Sequence, residues 1–387
     1  MLTSRARDAV TRLTGSLLAV RPLAEALAGP VRVAPPPGTW PAGLVEHIAR
    51  RAGVPGLTAP AGLGPGDLQV FERVISDRLA TLPLPAGTVA GPEVDAVVDE
   101  AVANGFDAVF HRERLLSHDG VPLYAYASAP AAEAVVFVPA CGMPAALTEN
   151  WLRHLARDRQ VLTWESRGLD PSGPAGDHAV DTAAQARDLF TVMDRHGVGT
   201  AHVVGLCGGA VIALAAAAGR PERIASLSLW HGAYEFADGS DRTKFQNDLI
   251  ELMVIAARSR PAARSVQAAF CQVALTSTPA EIAHFVLYPY ASAELFYRYC
   301  ALNGALALTD VSDYLPRVHQ PTLVVTSADD ATAHPEGSRR VAGGLRHGRL
   351  RVEPHGDHAS LFQADDALIR VATDFMAGVS SNRGTPA

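Results

Sequence analysis

Residues able to carry out covalent chemistry stand at three turns of this chain: a cysteine at 207, an acid at 329 or 330, and a histidine at 355 or 358. Cys207 is the centre of Gly205-Leu206-Cys207-Gly208-Gly209, which follows the apolar run His202-Val203-Val204 and leads into the alanine-rich stretch Ala210 to Ala218. Strand, sharp turn and helix are written in succession, and small residues two places either side allow the central residue a strained, exposed backbone position. A cysteine so placed becomes a nucleophile when a base lies within hydrogen-bond reach and a third group orients that base. The turn Pro354-His355-Gly356-Asp357-His358 supplies the base, read as His358 with His355 as the alternative. The run Val325-Thr326-Ser327-Ala328-Asp329-Asp330 supplies the orienting acid, read as Asp330 with Asp329 as the alternative. Cysteine, acid and histidine each follow a strand-like run, and their joint occurrence in that order says more than any one alone.

Acyl chemistry at sulfur also requires N–H donors aimed where a tetrahedral oxyanion forms. Gly208, the residue after the cysteine, is one expected donor. The other is Met143, in the loop Pro139-Ala140-Cys141-Gly142-Met143-Pro144, where Gly142 lets the backbone turn close to the site. Cys141, His231 and Phe236 are further candidates for a substrate pocket, although His231 reads equally as a structural histidine. The run His355, Asp357 and His358 is too local for a whole metal site, and no metal or other cofactor is expected.

The elements that must position these groups follow from the apolar pattern. Residues 1–111 read as an amino-terminal helical extension broken by Ala34-Pro35-Pro36-Pro37-Gly38 and Leu63-Gly64-Pro65-Gly66. Residues 112–234 and 319–380 alternate short apolar strands with helices, the pattern of an α/β fold with a mostly parallel central sheet covered on both faces. Eight strands are expected: 114–117, 123–127, 134–139, 160–164, 202–205, 224–230, 322–326 and 349–353. Helices are expected over 146–157, 183–196, 208–218, 336–345 and 361–377. The alternation stops for about ninety residues after Trp230, so 235–318 is read as a helical cap or lid bearing aromatic residues.

Composition narrows the function classes. The chain of 387 residues is 48% hydrophobic and 19% charged, with a net charge of −7. Lys244 is the only lysine and there is no basic block, so nucleic-acid binding has little support and only one lysine is available for a Schiff base. No run approaches the ~18 uninterrupted apolar residues of a membrane span. Four scattered cysteines, 141, 207, 271 and 300, suit neither a disulfide scaffold nor structural zinc. A cytoplasmic protein is expected.

From about residue 112 to 378 the chain resembles the α/β-hydrolases. The Gly-Leu-Cys-Gly-Gly box is similar to the lipase-like box of polyhydroxyalkanoate synthases and, more loosely, to the cysteine elbow of dienelactone hydrolases. The resemblance implies a Cys207–His358–Asp330 triad with an oxyanion hole at Met143 and Gly208. The chain departs from the family in two loops. Cys141-Gly142 stands where His-Gly is usual, and Glu165-Ser166-Arg167-Gly168-Leu169-Asp170-Pro171-Ser172-Gly173 only partly matches Asp-x-Arg-Gly-x-Gly-x-Ser. A thiolate at the elbow forms a thioester acyl-enzyme. Exchange with a CoA or carrier-protein thioester is nearly thermoneutral, so the group stays activated for an alcohol, amine or thiol. An acyltransferase with a small-molecule acceptor is therefore expected. A thioesterase, esterase or lactonase is the alternative, and a non-catalytic binding module a third reading.

Overall fold

The structure is a computed structural model that describes residues 2–27, 29–34, 40–41, 43–54, 56–80, 82–169 and 178–383. Pro35-Pro36-Pro37-Gly38 and Asp170-Pro171-Ser172-Gly173, both singled out in the sequence, lie outside the described residues. The chain divides into two units, Met1–Val109 with Ala268–Ala293, and Phe110–Gln267 with Glu294–Ala387. Of the span read as one cap, 268–293 thus groups with the smaller unit.

The larger unit is built on eight strands: β1 His111–Leu116, β2 Pro122–Ala127, β3 Ala134–Val138, β4 Gln160–Trp164, β5 Ala201–Leu206, β6 Ile224–Trp230, β7 Thr322–Ser327 and β8 Gly348–Glu353. Their order across the sheet is β8-β7-β6-β5-β3-β4-β2-β1. Pairing is parallel except where β2 meets β1 and β4. Strands β3 to β7 are buried at every position, as strands of a parallel sheet covered on both faces must be. The order reverses where β5 lies beside β3, and the crevice beyond the carboxyl ends of strands at such a reversal is where side chains from several loops converge. The helix after β5, Gly208–Gly219, is buried from Gly209 through Ala218; its alanines let the backbone lie close to the sheet.

The carboxyl-terminal helix begins at Asp366, and not near Leu361 as its apolar pattern suggests. His358–Leu361 instead forms a tight 3-10 turn, held by Asp357 accepting from the Ser360 N–H. Asp365 then accepts from the Leu368 N–H and starts the helix afresh. The interruption places His358 on a short, separately capped turn.

In the smaller unit the helices Ser4–Ala26, Leu44–Arg51, Val70–Ala80 and Pro92–Ala103 bury Val10, Leu13, Leu17, Ile48, Ile75 and Val97. Arg32 holds Glu72 in a two-armed ion pair, which draws that carboxyl down to about 2 against the opposing effect of burial. Buried in this unit is His284, neither of whose ring nitrogens finds a hydrogen-bond partner.

Candidate active site

The site grows from the turn at the end of β5. Cys207 has φ 51° and ψ −121°, a left-handed position that a non-glycine residue holds only under strain. Its N–H donates to Trp230 O on β6, so the sheet itself fixes the turn. Glycine on either side is a packing requirement. A Cβ at Gly205 would lie 2.6 Å from Gly209 O, and one at Gly209 would lie 2.4 Å from Val138 O. Gly208 is the first residue of the following helix, so its N–H has no partner within that helix and is available to an oxyanion.

After β7, Asp330 is buried and its carboxylate accepts four hydrogen bonds. Oδ1 receives the N–H groups of Thr332 (2.8 Å) and Ala333 (2.9 Å). Oδ2 receives Nδ1–H from His358 (2.9 Å) and from His231 (2.8 Å); a carboxylate can only accept, so both imidazole protons are assigned. His358 Nε2 is buried without a hydrogen-bond partner, and Cys207 is close enough for its charge to act on the ring. Burial alone would lower the basicity of His358. The charges of Cys207 and Asp330, with the hydrogen bond to Asp330, outweigh it and hold the imidazole well above its ordinary value. For Asp330 burial likewise opposes ionisation, and the two histidines override it, holding the carboxyl far below the carboxylate range. The oxygen and nitrogen atoms of His231, Asp330 and His358 lie within 4.8 Å of one another, close enough to share a cation, but their contacts are hydrogen bonds to one carboxylate.

The other cysteines are different. Burial pushes the Cys271 thiol up to about 11 and Cys141 up to about 12, and it also raises Cys300. All three are buried, whereas Cys207 is partly exposed. The alternatives His355 and Asp329 find each other at 3.2 Å on the surface, where the His355 side chain is 89% exposed.

A family model described as the alpha/beta hydrolase fold matches residues 133–365. The chain belongs to the α/β-hydrolase fold family. It is 29% identical over 272 residues to a protein named as a carbamate hydrolase, RutD, of Variovorax paradoxus, covering 69% of this chain and all of that one. It is 26% identical over 175 residues to an L-allo-isoleucyltransferase of Pseudomonas savastanoi pv. glycinea, covering 45% of this chain and 61% of that protein. Among solved structures, a thermophilic esterase from Thermogutta terrifontis superposes with a TM-score of 0.56 at 19% identity, covering 70% of this chain and 99% of the esterase.

Two residues expected at the α/β-hydrolase site have partners that the sequence did not suggest. The Met143 N–H donates to Ala140 O (3.0 Å) and closes a turn, so it is committed, and it serves an oxyanion only by opening or sharing that bond. Phe236 is buried beneath the Arg340 guanidinium, 3.8 Å from the ring centroid, and is taken up by that stack. Cys141 donates to Gln185 Oε1 (3.3 Å) and lies against the elbow, its Cβ 3.2 Å from where a Gly208 Cβ would stand. It therefore shapes the site as a protonated wall.

Sequence reasoning missed the groups that hold the 139–144 loop. Ser166 Oγ accepts from the Gly142 N–H (2.8 Å), Glu165 accepts from the Ala145 N–H, and Asn303 donates to Cys141 O (3.2 Å). The Tyr299 ring covers Gly142 (φ +86°) so closely that a Cβ there would lie 2.4 Å from it. The loop carrying Glu165 and Ser166 is anchored by buried Arg167, which pairs with Asp188 and Asp119 at 2.8 Å each. The signal available was the partial Arg-Gly motif at 167–168. Tyr234 was missed as well; its buried hydroxyl has no hydrogen-bond partner, and burial together with the Cys207 charge holds the phenol far above its ordinary range.

Proposed function

We propose that this α/β-hydrolase-fold protein is an acyltransferase working through a thioester on Cys207. The acyl group would come from a CoA or carrier-protein thioester and leave to an alcohol, amine or thiol acceptor. The observation that carries the reading is the strained Cys207 whose charge acts on a His358 fixed on a fully hydrogen-bonded Asp330. His358 takes the thiol proton and later gives it to the leaving thiol, while Asp330 steadies the imidazolium. Sulfur exchanged for sulfur keeps the acyl group activated, which suits transfer more than hydrolysis. The likeness to an L-allo-isoleucyltransferase favours the same reading. The likeness to a carbamate hydrolase favours the second one, hydrolysis of a thioester, ester or lactone at the same residues.

Intact-protein mass after mixing with a panel of acyl-thioesters tests the reading. An adduct is expected that is lost in Cys207→Ala and discharged by added acceptors faster than by water. Immediate hydrolysis unaffected by any acceptor would replace transfer with hydrolysis, and an adduct mapping to Cys141, Cys271 or Cys300 would overturn the site.

A further inference from the structure

Asp330 carries a second imidazole that a cysteine–histidine–acid site does not require. His231 follows β6 directly, its N–H continuing the sheet by donating to Val325 O (2.9 Å). Its backbone is left-handed, φ 48°, and besides Cys207 it is the only non-glycine residue with positive φ among the described residues. Such a conformation is strained and persists only where the surroundings enforce it. Here they aim a 97%-buried ring at Asp330 Oδ2, the oxygen that also holds His358. The two rings meet edge to face with centroids 5.9 Å apart. Strain at the nucleophile is expected of an elbow, and strain at His231 calls for its own reason.

We infer that His231 is a positioning residue that fixes the Asp330 carboxylate in place and tempers its pull on His358. A carboxylate oxygen that serves one imidazole concentrates its charge there and stabilises the imidazolium strongly. Shared between two N–H donors, the same oxygen stabilises His358 less, so the imidazolium gives up its proton more readily when a leaving thiol requires it. The sign does not depend on the charge of His231, because losing either a neutral donor or a cation leaves Asp330 more negative toward His358. The titratable groups facing this cluster are Cys207 and Asp330 against His358, and His231 and His358 against Asp330. Tyr234, three residues along from His231, adds a phenol that feels the Cys207 charge.

The inference rests on Cys207 and His358 reacting as a pair, but its test needs no acyl donor or acceptor. The rate of Cys207 alkylation by iodoacetamide, followed by intact mass from pH 4 to 10, reports the thiolate on its acid limb and the His358 proton through any alkaline limb. The His358 ring resonance in NMR follows the same proton directly. Two substitutions separate backbone from donor, since glycine and asparagine both tolerate the left-handed position and only asparagine can hydrogen-bond Asp330. His231→Gly is expected to raise the His358 titration by about one unit and His231→Asn to restore most of it. In an Asp330→Asn background, His231→Gly should add nothing further. An unshifted titration in His231→Gly would overturn the inference, as would a shift that persists undiminished in the Asp330→Asn background. Should His231→Gly fail to fold, His231→Asn measured alone in the two backgrounds decides. A His231→Asn shift as large as that of Asp330→Asn would defeat the donor argument. Wild-type alkylation without any pH dependence tied to His358 would instead defeat the proposed acyl chemistry.

Discussion

Asp330 and His358 set one another's protonation states across a 2.9 Å hydrogen bond, the carboxyl held low and the imidazole held high. His358→Ala should lower turnover, or acyl loading where no acceptor is known, on the order of 10³-fold or more. His355→Ala should be close to neutral, because that ring lies on the surface with Asp329. The reverse ranking in single-turnover loading would move the base. Stability follows the same residues with opposite signs. The raised His358 contributes stability that is fully present below its unfolded value of about 6.5 and is lost as pH rises through its folded value. The depressed Asp330 contributes stability present above its unfolded value of about 3.9 and lost only as pH falls through its folded value. The stability difference between wild type and Asp330→Asn in denaturant titrations should therefore be largest from about pH 4 upward and shrink on the alkaline side as His358 loses its proton. A difference independent of pH would show that Asp330 acts through packing alone.

At the scale of elements, the site depends on how closely β5, its following helix and the loop after β3 can approach. Gly205 and Gly209 permit that approach, with backbone oxygens 2.6 and 2.4 Å from where their Cβ atoms would be. Backbone cannot yield as a flexible side chain does, so Gly209→Ala should cost about 3 kcal/mol or more and disable the elbow together with the fold. Gly219→Ala, at the far end of the same helix where a Cβ meets nothing within 4 Å, should leave both intact. Comparable thermal midpoints for the two variants would refute this account of the elbow. The loop after β4 acts one step further away, since Arg167, buried between Asp188 and Asp119, holds the segment whose Ser166 and Glu165 bind the 139–144 loop. A buried charge is stable there only because both acids face it.

On the scale of the whole molecule, the two units differ in how they meet acid. The smaller unit buries His284 with neither nitrogen bonded, and burial, with a lesser effect of Arg78, draws that imidazole down to about 3. Its folded value lies below the unfolded one, so the unit keeps its stability above about pH 6.5 and loses it as pH falls toward about 3, by up to about 5 kcal/mol in total. Hydrogen exchange on the full chain should show residues 1–109 and 268–293 losing protection first on acidification. His284→Leu should shift that loss to lower pH and raise stability near neutrality by about 1–3 kcal/mol, because a buried unsatisfied group is removed. Equal acid sensitivity of wild type and His284→Leu would exclude His284 as the cause. No helix among the described residues is long and apolar enough to cross a membrane.

Much of this protein was written locally. The eight strands, the elbow with its glycines and the sheet's parallel character follow from apolar runs and turn residues close together in the chain, where steric rules act over a few positions. The choice among candidates was not local. That His358 bonds Asp330 in the interior while His355 bonds Asp329 on the surface depends on which way the turns after β7 and β8 direct each residue, and two residues one or three places apart look alike to any short-range rule. His231 on Asp330 joins positions 99 apart. The Arg340 stack on Phe236 and the Ser166 and Asn303 bonds to the 139–144 loop also bring together residues from separate elements. Sequence determined that a cysteine would stand strained at a strand end. Tertiary structure alone decided what surrounds its sulfur, because hydrogen-bond saturation and burial are properties of groups brought together from distant strands.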